Sequence, residues 1–236
     1  MVVATYNVHR CIGTDGHRDV ERVGAVIRQL DADVVGLQEV EEPLGSDADQ
    51  LAQLARSSGL HVAVAGALQG HSDVVCANAL LCRSLPEHTR TLDLSVAGRE
   101  PRGALEADLD LEGLRCRVVV THLGLRTRER RAQLRTLLLM IGDPPGDRLT
   151  VILGDLNEWW RPVISLVAQR GFGGYHVRSF PTAWPLLALD HVLVRPARAV
   201  EETHAHDSPL ARVASDHLPV RAVLMPLSDA TGGTRR

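Results

Sequence analysis

Residues 150–160 read TVILGDLNEWW. Thr150 to Leu153 suit a strand buried inside a sheet, and the chain then turns abruptly acidic and polar at Gly154, Asp155 and Asn157. A turn alone requires no carboxylate and amide two residues apart. A strand that delivers both side chains to a site at the end of a sheet does, because ligands collect where strands end.

Outward from that strand, similar runs recur at 2–8, 33–40, 61–66, 74–82, 89–96, 103–111, 115–123, 189–195 and 218–225. Those at 2–8, 33–40, 115–123 and 149–156 are almost continuously apolar, as expected where helices cover at least one face of a sheet. The run at 103–111 alternates and predicts a half-exposed antiparallel strand. Helical periodicity fills the gaps. Val20, Val23, Val26, Ile27 and Leu30 form one stripe over 18–30, and Leu51, Leu54 and Ala55 a second over 47–59. Ala132, Leu134, Leu137, Leu138 and Ile141 form a third over 127–141, with Thr127 as its expected N-cap. A fourth helix over 161–171 has Pro162 in its first turn and Gly171 at its end. This order predicts an α/β fold with two mixed sheets packed face to face and helices outside. No interdomain linker is visible, so residues 1–227 form one expected domain, followed by a flexible tail at 228–236. The prolines of 143–147 mark a turn.

The 236 residues are 44% hydrophobic but only 3% aromatic, so Leu, Val and Ala must supply most of the core. All 26 basic residues are arginine. The formal net charge of −3 provides no global attraction for a polyanion. Nucleic acid is therefore a disfavoured partner, reachable only through a local basic rim. Cys11, Cys76, Cys82 and Cys116 lack metal-binding spacing and read as reduced small hydrophobes. No stretch reaches the roughly 18 apolar residues of a membrane span, and no signal-peptide pattern opens the chain. A cytoplasmic monomer is the expectation.

Polar residues that a core does not need recur where the apolar runs stop. They are Asn7 and His9 in TYNVHR, Glu39 in GLQEV, His122 in VVVTHLG, Asp155 and Asn157 in LGDLN, and Asp216 and His217 in ASDHLPV. Asp190 in LDHVLV and Asn78 in CANALL join them. Singly, an Asp or Asn past a strand usually forms a turn. Their coincidence argues for one shared site.

In this order TYNVHR, LQEV, CANALL, THLG, GDLN, LDHVLV and SDHLPV resemble the endonuclease/exonuclease/phosphatase superfamily, over about residues 2–225. The resemblance implies a four-layer α/β/β/α sandwich and hydrolysis of a phosphoester by water, with Mg²⁺ or Mn²⁺ neutralising charge. Carried over position by position, it implies Glu39 as the main metal carboxylate, with Asn7 and Asp216 completing or flanking that shell. It further implies that Asp155 orients and deprotonates the water, and that Asn157 holds the phosphate or steadies the water. His217 would bond the scissile phosphate, with Asp190 fixing its tautomer and raising its pKa. His122 takes a position near the phosphate and leaving group, and Asn78 supports the site from the neighbouring strand.

Other readings rest on the residues themselves. Arg102 could grip phosphate bidentately. His9 is expected on the strand face that carries Asn7. Arg126, Arg128, Arg130, Arg131 and Arg135 read as a solvated helix face, with Arg126 a lesser phosphate candidate. The leading function is a metal-dependent phosphoesterase acting on a small or lipid-derived phosphoester. A DNA or RNA nuclease is the alternative, weakened by the few aromatics available for stacking on bases. A catalytically inactive binding domain is disfavoured, because Glu39, Asp155, Asp216 and His217 are all present.

Overall fold

The computed structural model describes residues 1–43, 50–67, 74–111, 113–142, 148–159 and 161–227. Its elements run β1 (Val2–Asn7), α1 (Val20–Gln29), β2 (Val34–Pro43), α2 (Gln50–Ser58), β3 (His61–Ala67), β4 (Val74–Cys82) and β5 (His88–Asp93). They continue as β6 (Gly103–Leu111), β7 (Leu114–His122), α3 (Thr127–Ile141), β8 (Leu149–Asp155), α4 (Arg161–Ala168) and β9 (Asp190–Arg195). The chain closes with β10 (Val200–Ala205), α5 (Ala211–Ala214) and β11 (Val220–Leu224). One sheet has the order β10-β11-β1-β2-β4-β3 and the other β5-β6-β7-β8-β9. Both are mixed: β1 pairs β2 and β7 pairs β8 in parallel, and the remaining pairs are antiparallel.

Strand parity divides the apolar residues between layers. Val3, Val34 and Leu80 of the first sheet interlock with Leu105, Val118, Val120, Val151, Leu153 and Val192 of the second. One step along each strand, side chains point outward. Ala4, Tyr6, Val35 and Leu37 meet Val23, Val26 and Ile27 of α1 and Leu51 and Leu54 of α2. Val119, Ile152 and Leu193 meet Leu134 and Leu137 of α3 and Val167 of α4. The result is the expected four-layer α/β/β/α sandwich. Each fully buried Leu, Val or Ile contributes roughly 1.5–3 kcal/mol. At Gly36 the sheets press close together: a Cβ there would stand 3.0 Å from both Leu153 Cβ and Val120 Cγ2.

Several local expectations need correction. β6 is buried on both faces over most of its length. Its outward Glu106 is covered by Arg90, at 2.8 Å, and Arg117, at 3.4 Å, so polarity there reflects ion pairing rather than solvent. Thr127 is the first residue of α3 and not its N-cap; that position is Arg126, without a side-chain cap bond. Ala132 is exposed, and the buried face of α3 includes Glu129, Arg130 and Gln133 beside its leucines. β10 escaped the apolar pattern because VEETHA is a polar edge strand. The turn expected at 143–147 and the tail expected at 228–236 lie outside the described residues. Cys11, Cys82 and Cys116 are free and buried. Among the described residues, no helix is long and apolar enough to cross a membrane.

Candidate active site

Parity also builds the site. Continuing the inward series by twos takes Val3 to Asn7, Val34 to Gln38 and Leu80 back to Asn78 in the first sheet. In the second sheet it takes Val118 to His122, Val151 to Asp155 and Val192 back to Asp190. Register then aligns these residues in two facing rows. Asn7 lies beside Gln38, and Asp155 lies between His122 and Asp190. The hydrophobic layer between the sheets therefore ends in amides on one side and acids and imidazole on the other. Gly154 permits this arrangement, since a Cβ there would fall 2.1 Å from the Thr121 carbonyl oxygen.

Glu39 has the wrong parity and reaches the site by another device. The β2–β4 register shifts between Leu37 and Val40, placing Gln38 and Glu39 together opposite Asn78. Glu39 adopts φ 56° in this bulge. β2 continues to Pro43, so Glu39 is not at a strand end as the sequence suggests. A bulge redirects a side chain in mid-strand, and here it returns the carboxylate to the inward side.

Hydrogen bonds tie the rows together. Asn7 Nδ2 donates to Glu39 Oε1 at 3.0 Å and to Asp155 Oδ2 at 3.1 Å, while its Oδ1 accepts the His9 backbone N–H at 3.0 Å. Asp155 Oδ1 accepts the Asn157 backbone N–H at 2.8 Å. Asn157, at φ 51°, donates its amide to Leu123 O at 2.9 Å and stands 3.0 Å from His122 Nε2. His217 Nδ1 pairs with Asp190 Oδ2 at 2.8 Å, and its Nε2 lies 3.8 Å from Asp155 Oδ2. A cavity of about 570 Å³ opens over the site, lined by Glu39, Asn78, Arg102, His122, Asp155, Asn157, Asp216 and His217 among others. Asn7 and Asp190 are buried.

The two histidines near Asp155 hold opposite charge states at neutral pH. Burial drives His122 down to about 4, despite the attraction of Asp155, leaving a neutral ring that can accept from Asn157. Burial also opposes charge on His217, but the charge and hydrogen bond of Asp190, with help from Asp155 and Asp216, carry it to about 10. Asp155 itself is raised, chiefly by burial, against the lowering influence of His122 and His217.

Other assignments come out unevenly. His9 lines the cavity, but not through strand periodicity: the chain leaves β1 at Asn7 and enters a short 3-10 turn with His9 at φ 45°. His9 Nδ1 reaches Ile12 O at 3.1 Å and stands 3.6 Å from Asp216 Oδ1. Asn78 Nδ2 donates to Gly103 O at 3.1 Å, tying β4 to the start of β6. The arginine run is solvated at Arg126, Arg128, Arg131 and Arg135, but Arg130 is buried against Glu158 at 3.0 Å. Sequence reasoning missed Ser179, whose hydroxyl donates to Asp190 Oδ2, and Ser215, which donates to Asn7 O at 2.8 Å and accepts the His217 N–H at 3.2 Å. It also missed Phe180, whose ring centroid lies 4.7 Å from that of His217. Only the adjacency of Ser215 to Asp216 and His217 offered a signal.

The donor set suits a hard divalent cation, for Glu39, Asp155 and Asp216 present carboxylate oxygens to one cavity. Among the described residues, Asp155, Asp190 and His217 also offer ligand atoms within 4.8 Å of one another. In that triad, however, His217 Nδ1 is engaged by Asp190 and held protonated, so the Glu39 side offers the freer oxygens.

Comparisons with known proteins agree with this architecture. The profile described as "Endonuclease/Exonuclease/phosphatase family" matches residues 4–217. The uncharacterized protein YbhP of Escherichia coli is 31% identical over 245 aligned residues, covering 93% of this chain and 94% of that protein. An endonuclease/exonuclease/phosphatase structure from Beutenbergia cavernae aligns at 25% identity with a TM-score of 0.75, covering 94% of this chain and 70% of that one. The mannosyl-6-phosphatase of Bacteroides thetaiotaomicron aligns at 16% identity with a TM-score of 0.76, covering 95% and 99%.

Proposed function

The chain belongs to the endonuclease/exonuclease/phosphatase family, and from that premise we propose that it is a divalent-cation-dependent phosphoesterase acting on a small or lipid-derived phosphoester. The observation that carries this reading is the Asn7 amide joining Glu39 to Asp155, with the His217–Asp190 pair facing the same Asp155. The cavity wall adds Leu125, Trp159, Phe180, Leu187 and Leu189, which supports a leaving group with a carbon skeleton.

Glu39, with Asn7 and Asp216 completing or flanking the shell, would hold Mg²⁺ or Mn²⁺, which supplies charge neutralisation to the phosphate oxygens when bound. Asp155, made more basic by burial, accepts the proton of the attacking water. Its Oδ1 is fixed by the Asn157 N–H. His217 donates from Nε2 to a phosphate oxygen, because Asp190 engages the opposite ring nitrogen. His122, neutral and oriented by Asn157, faces the leaving oxygen. Asn78 supports the wall from β4, while Arg102 and His9 line the substrate side.

The test is hydrolysis of p-nitrophenyl phosphate and bis-p-nitrophenyl phosphate with Mg²⁺ or Mn²⁺. Turnover that EDTA abolishes and the metal restores is expected. Glu39→Ala and His217→Ala should each lower it by roughly 10²-fold or more with unchanged circular dichroism. Chelator-resistant turnover, or an active Glu39→Ala variant, would overturn the proposal.

A second reading, nuclease action, is favoured by one feature. Arg99, Arg126 and Arg128 line an adjoining cavity of about 710 Å³ that shares Leu125 with the first. Plasmid nicking that falls steeply with salt would select this reading.

A further inference from the structure

Trp159 is shared by two cavities. It lines the catalytic cavity and also a second one of about 470 Å³, whose other described walls are Ile164, Ser165, Ala168 and His176. Trp159 is 47% exposed, which leaves a large apolar ring against water. Its place in the chain is nonetheless held firmly. The preceding residue, Glu158, pairs with the buried Arg130 at 3.0 Å, and the Glu158 carbonyl oxygen meets His191 Nε2 at 3.0 Å. The helical wall follows from spacing: Ile164, Ser165 and Ala168 stand at i, i+1 and i+4 and share one face of α4, while Val167 turns into the core. His176 completes the lining, with its ring centroid 6.1 Å from that of His191. None of these described wall residues is an acid or an arginine. The cavity that shares Leu125 with the catalytic one differs, since Arg99, Arg126 and Arg128 line it.

An apolar cavity of about 150 Å³ is enough to hold benzene, so the space beside Trp159 has room for a chain of several carbons. Each methylene taken from water into such a site tightens binding by up to about fourfold. A sugar or polyol gains little there, because its hydroxyls would give up water for a wall whose only described polar side chains are Ser165 and His176. Chain order decides which part of a substrate the cavity meets. Trp159 follows Asn157 by two residues, and Asn157 Nδ2 stands 3.0 Å from His122 Nε2, the ring assigned above to the leaving oxygen. The second cavity therefore extends the site on its leaving-group side.

We propose that the cavity beside Trp159 seats an aliphatic chain carried by the leaving alcohol, so that the substrate is a phosphoester of an alkyl alcohol rather than of a sugar or polyol. The proposal rests on the phosphoesterase reading of the catalytic cavity. Trp159 is then the hinge point of recognition: one side of its ring borders the phosphate site, and the other covers the chain.

Calorimetry in Mg²⁺ tests this with ethyl-, butyl- and hexylphosphonate, whose C–P bond resists hydrolysis. Affinity should rise about two- to fourfold with each added methylene. Ala168 is exposed on α4, so its replacement leaves the core intact, as circular dichroism would verify. Ala168→Trp fills the cavity and Ala168→Asp charges it; each should weaken hexylphosphonate by roughly tenfold and ethylphosphonate by clearly less. Trp159→Ala should flatten the series as well. Phosphate release from ethyl and hexyl phosphate in solution, and from lysophosphatidic acid in phosphatidylcholine vesicles, then tells a dissolved ester from a membrane lipid as the source of the chain. Equal affinity across the three phosphonates overturns the proposal. So does a full chain-length gain in both Ala168 variants, which would lay the chain along the catalytic cavity itself. If the gain is present and depends on Ala168 while no ester is hydrolysed, the chain seat stands and the phosphoesterase reading falls. Hydrolysis of ethyl and hexyl phosphate with equal kcat/KM and equal phosphonate affinities keeps the phosphoesterase reading and removes the seat.

Discussion

Asn7 and Asp155 end strands of different sheets, and the Asn7 amide donates to Asp155 Oδ2 at 3.1 Å. The same nitrogen donates to Glu39 Oε1 at 3.0 Å, so one side chain sets the spacing of two carboxylates. Asn7→Ala removes both donors and leaves mutual repulsion. Its kcat/KM should fall roughly 10²–10³-fold with the fold retained. Asn7→Asp adds a third negative charge and should be worse. Steady-state kinetics beside urea unfolding separates the catalytic loss from the structural one.

Glu39 holds a left-handed backbone without being glycine, with φ 56°. That conformation costs a side-chain-bearing residue roughly 1–2 kcal/mol. Glu39→Gly should therefore unfold at higher denaturant than Glu39→Ala, by about 1 kcal/mol, although both variants lose turnover. Equal stability of the two would remove strain from the account of the bulge.

The proton on His217 follows from Asp190. Raised to about 10, the imidazole stays charged through neutrality and loses its proton as pH climbs through that value. Stability from the pair is complete below the ordinary histidine pKa and disappears as pH rises through the folded one. Asp190→Asn takes away the principal raising influence and leaves burial to act, so the alkaline limb of the kcat/KM profile should move to lower pH. A limb that stays put assigns the alkaline titration to another group.

Arg130 forms a buried pair with Glu158, the residue directly after Asn157 in the chain, with Nη2 to Oε2 at 3.0 Å. Arg130 also donates to Leu125 O at 2.6 Å, and the Glu158 carbonyl meets His191 Nε2 at 3.0 Å. The pair thus clamps the loop that carries Asn157. Arg130→Met strands a buried charge and should cost about 3–5 kcal/mol, with partial recovery in the double variant Arg130→Met/Glu158→Gln. Chemical denaturation of the two variants and the parent tests the coupling. Additive losses would show that the clamp is not a pair.

The sequence by itself determined which residues share a face of each strand, because parity along a strand is local. Once Val151 and Leu153 enter the central layer, Asp155 must follow, and the same count carries Asn7, His122, Asp190 and Asn78 to the same end of the sandwich. It determined the four layers as well, since runs of apolar strands separated by amphipathic helices have few ways to cover both sheets. Tertiary structure alone decided the exceptions. The bulge that returns Glu39, the turn that carries His9, and the Ser179 and Ser215 hydroxyls all arise from register and loop path. Those contacts join segments far apart in the chain or break the local repeat, and no period in the sequence encodes them. Arg130 shows the same limit: its spacing resembles a wet helix face, and only the loop packed over α3 makes it a buried cation.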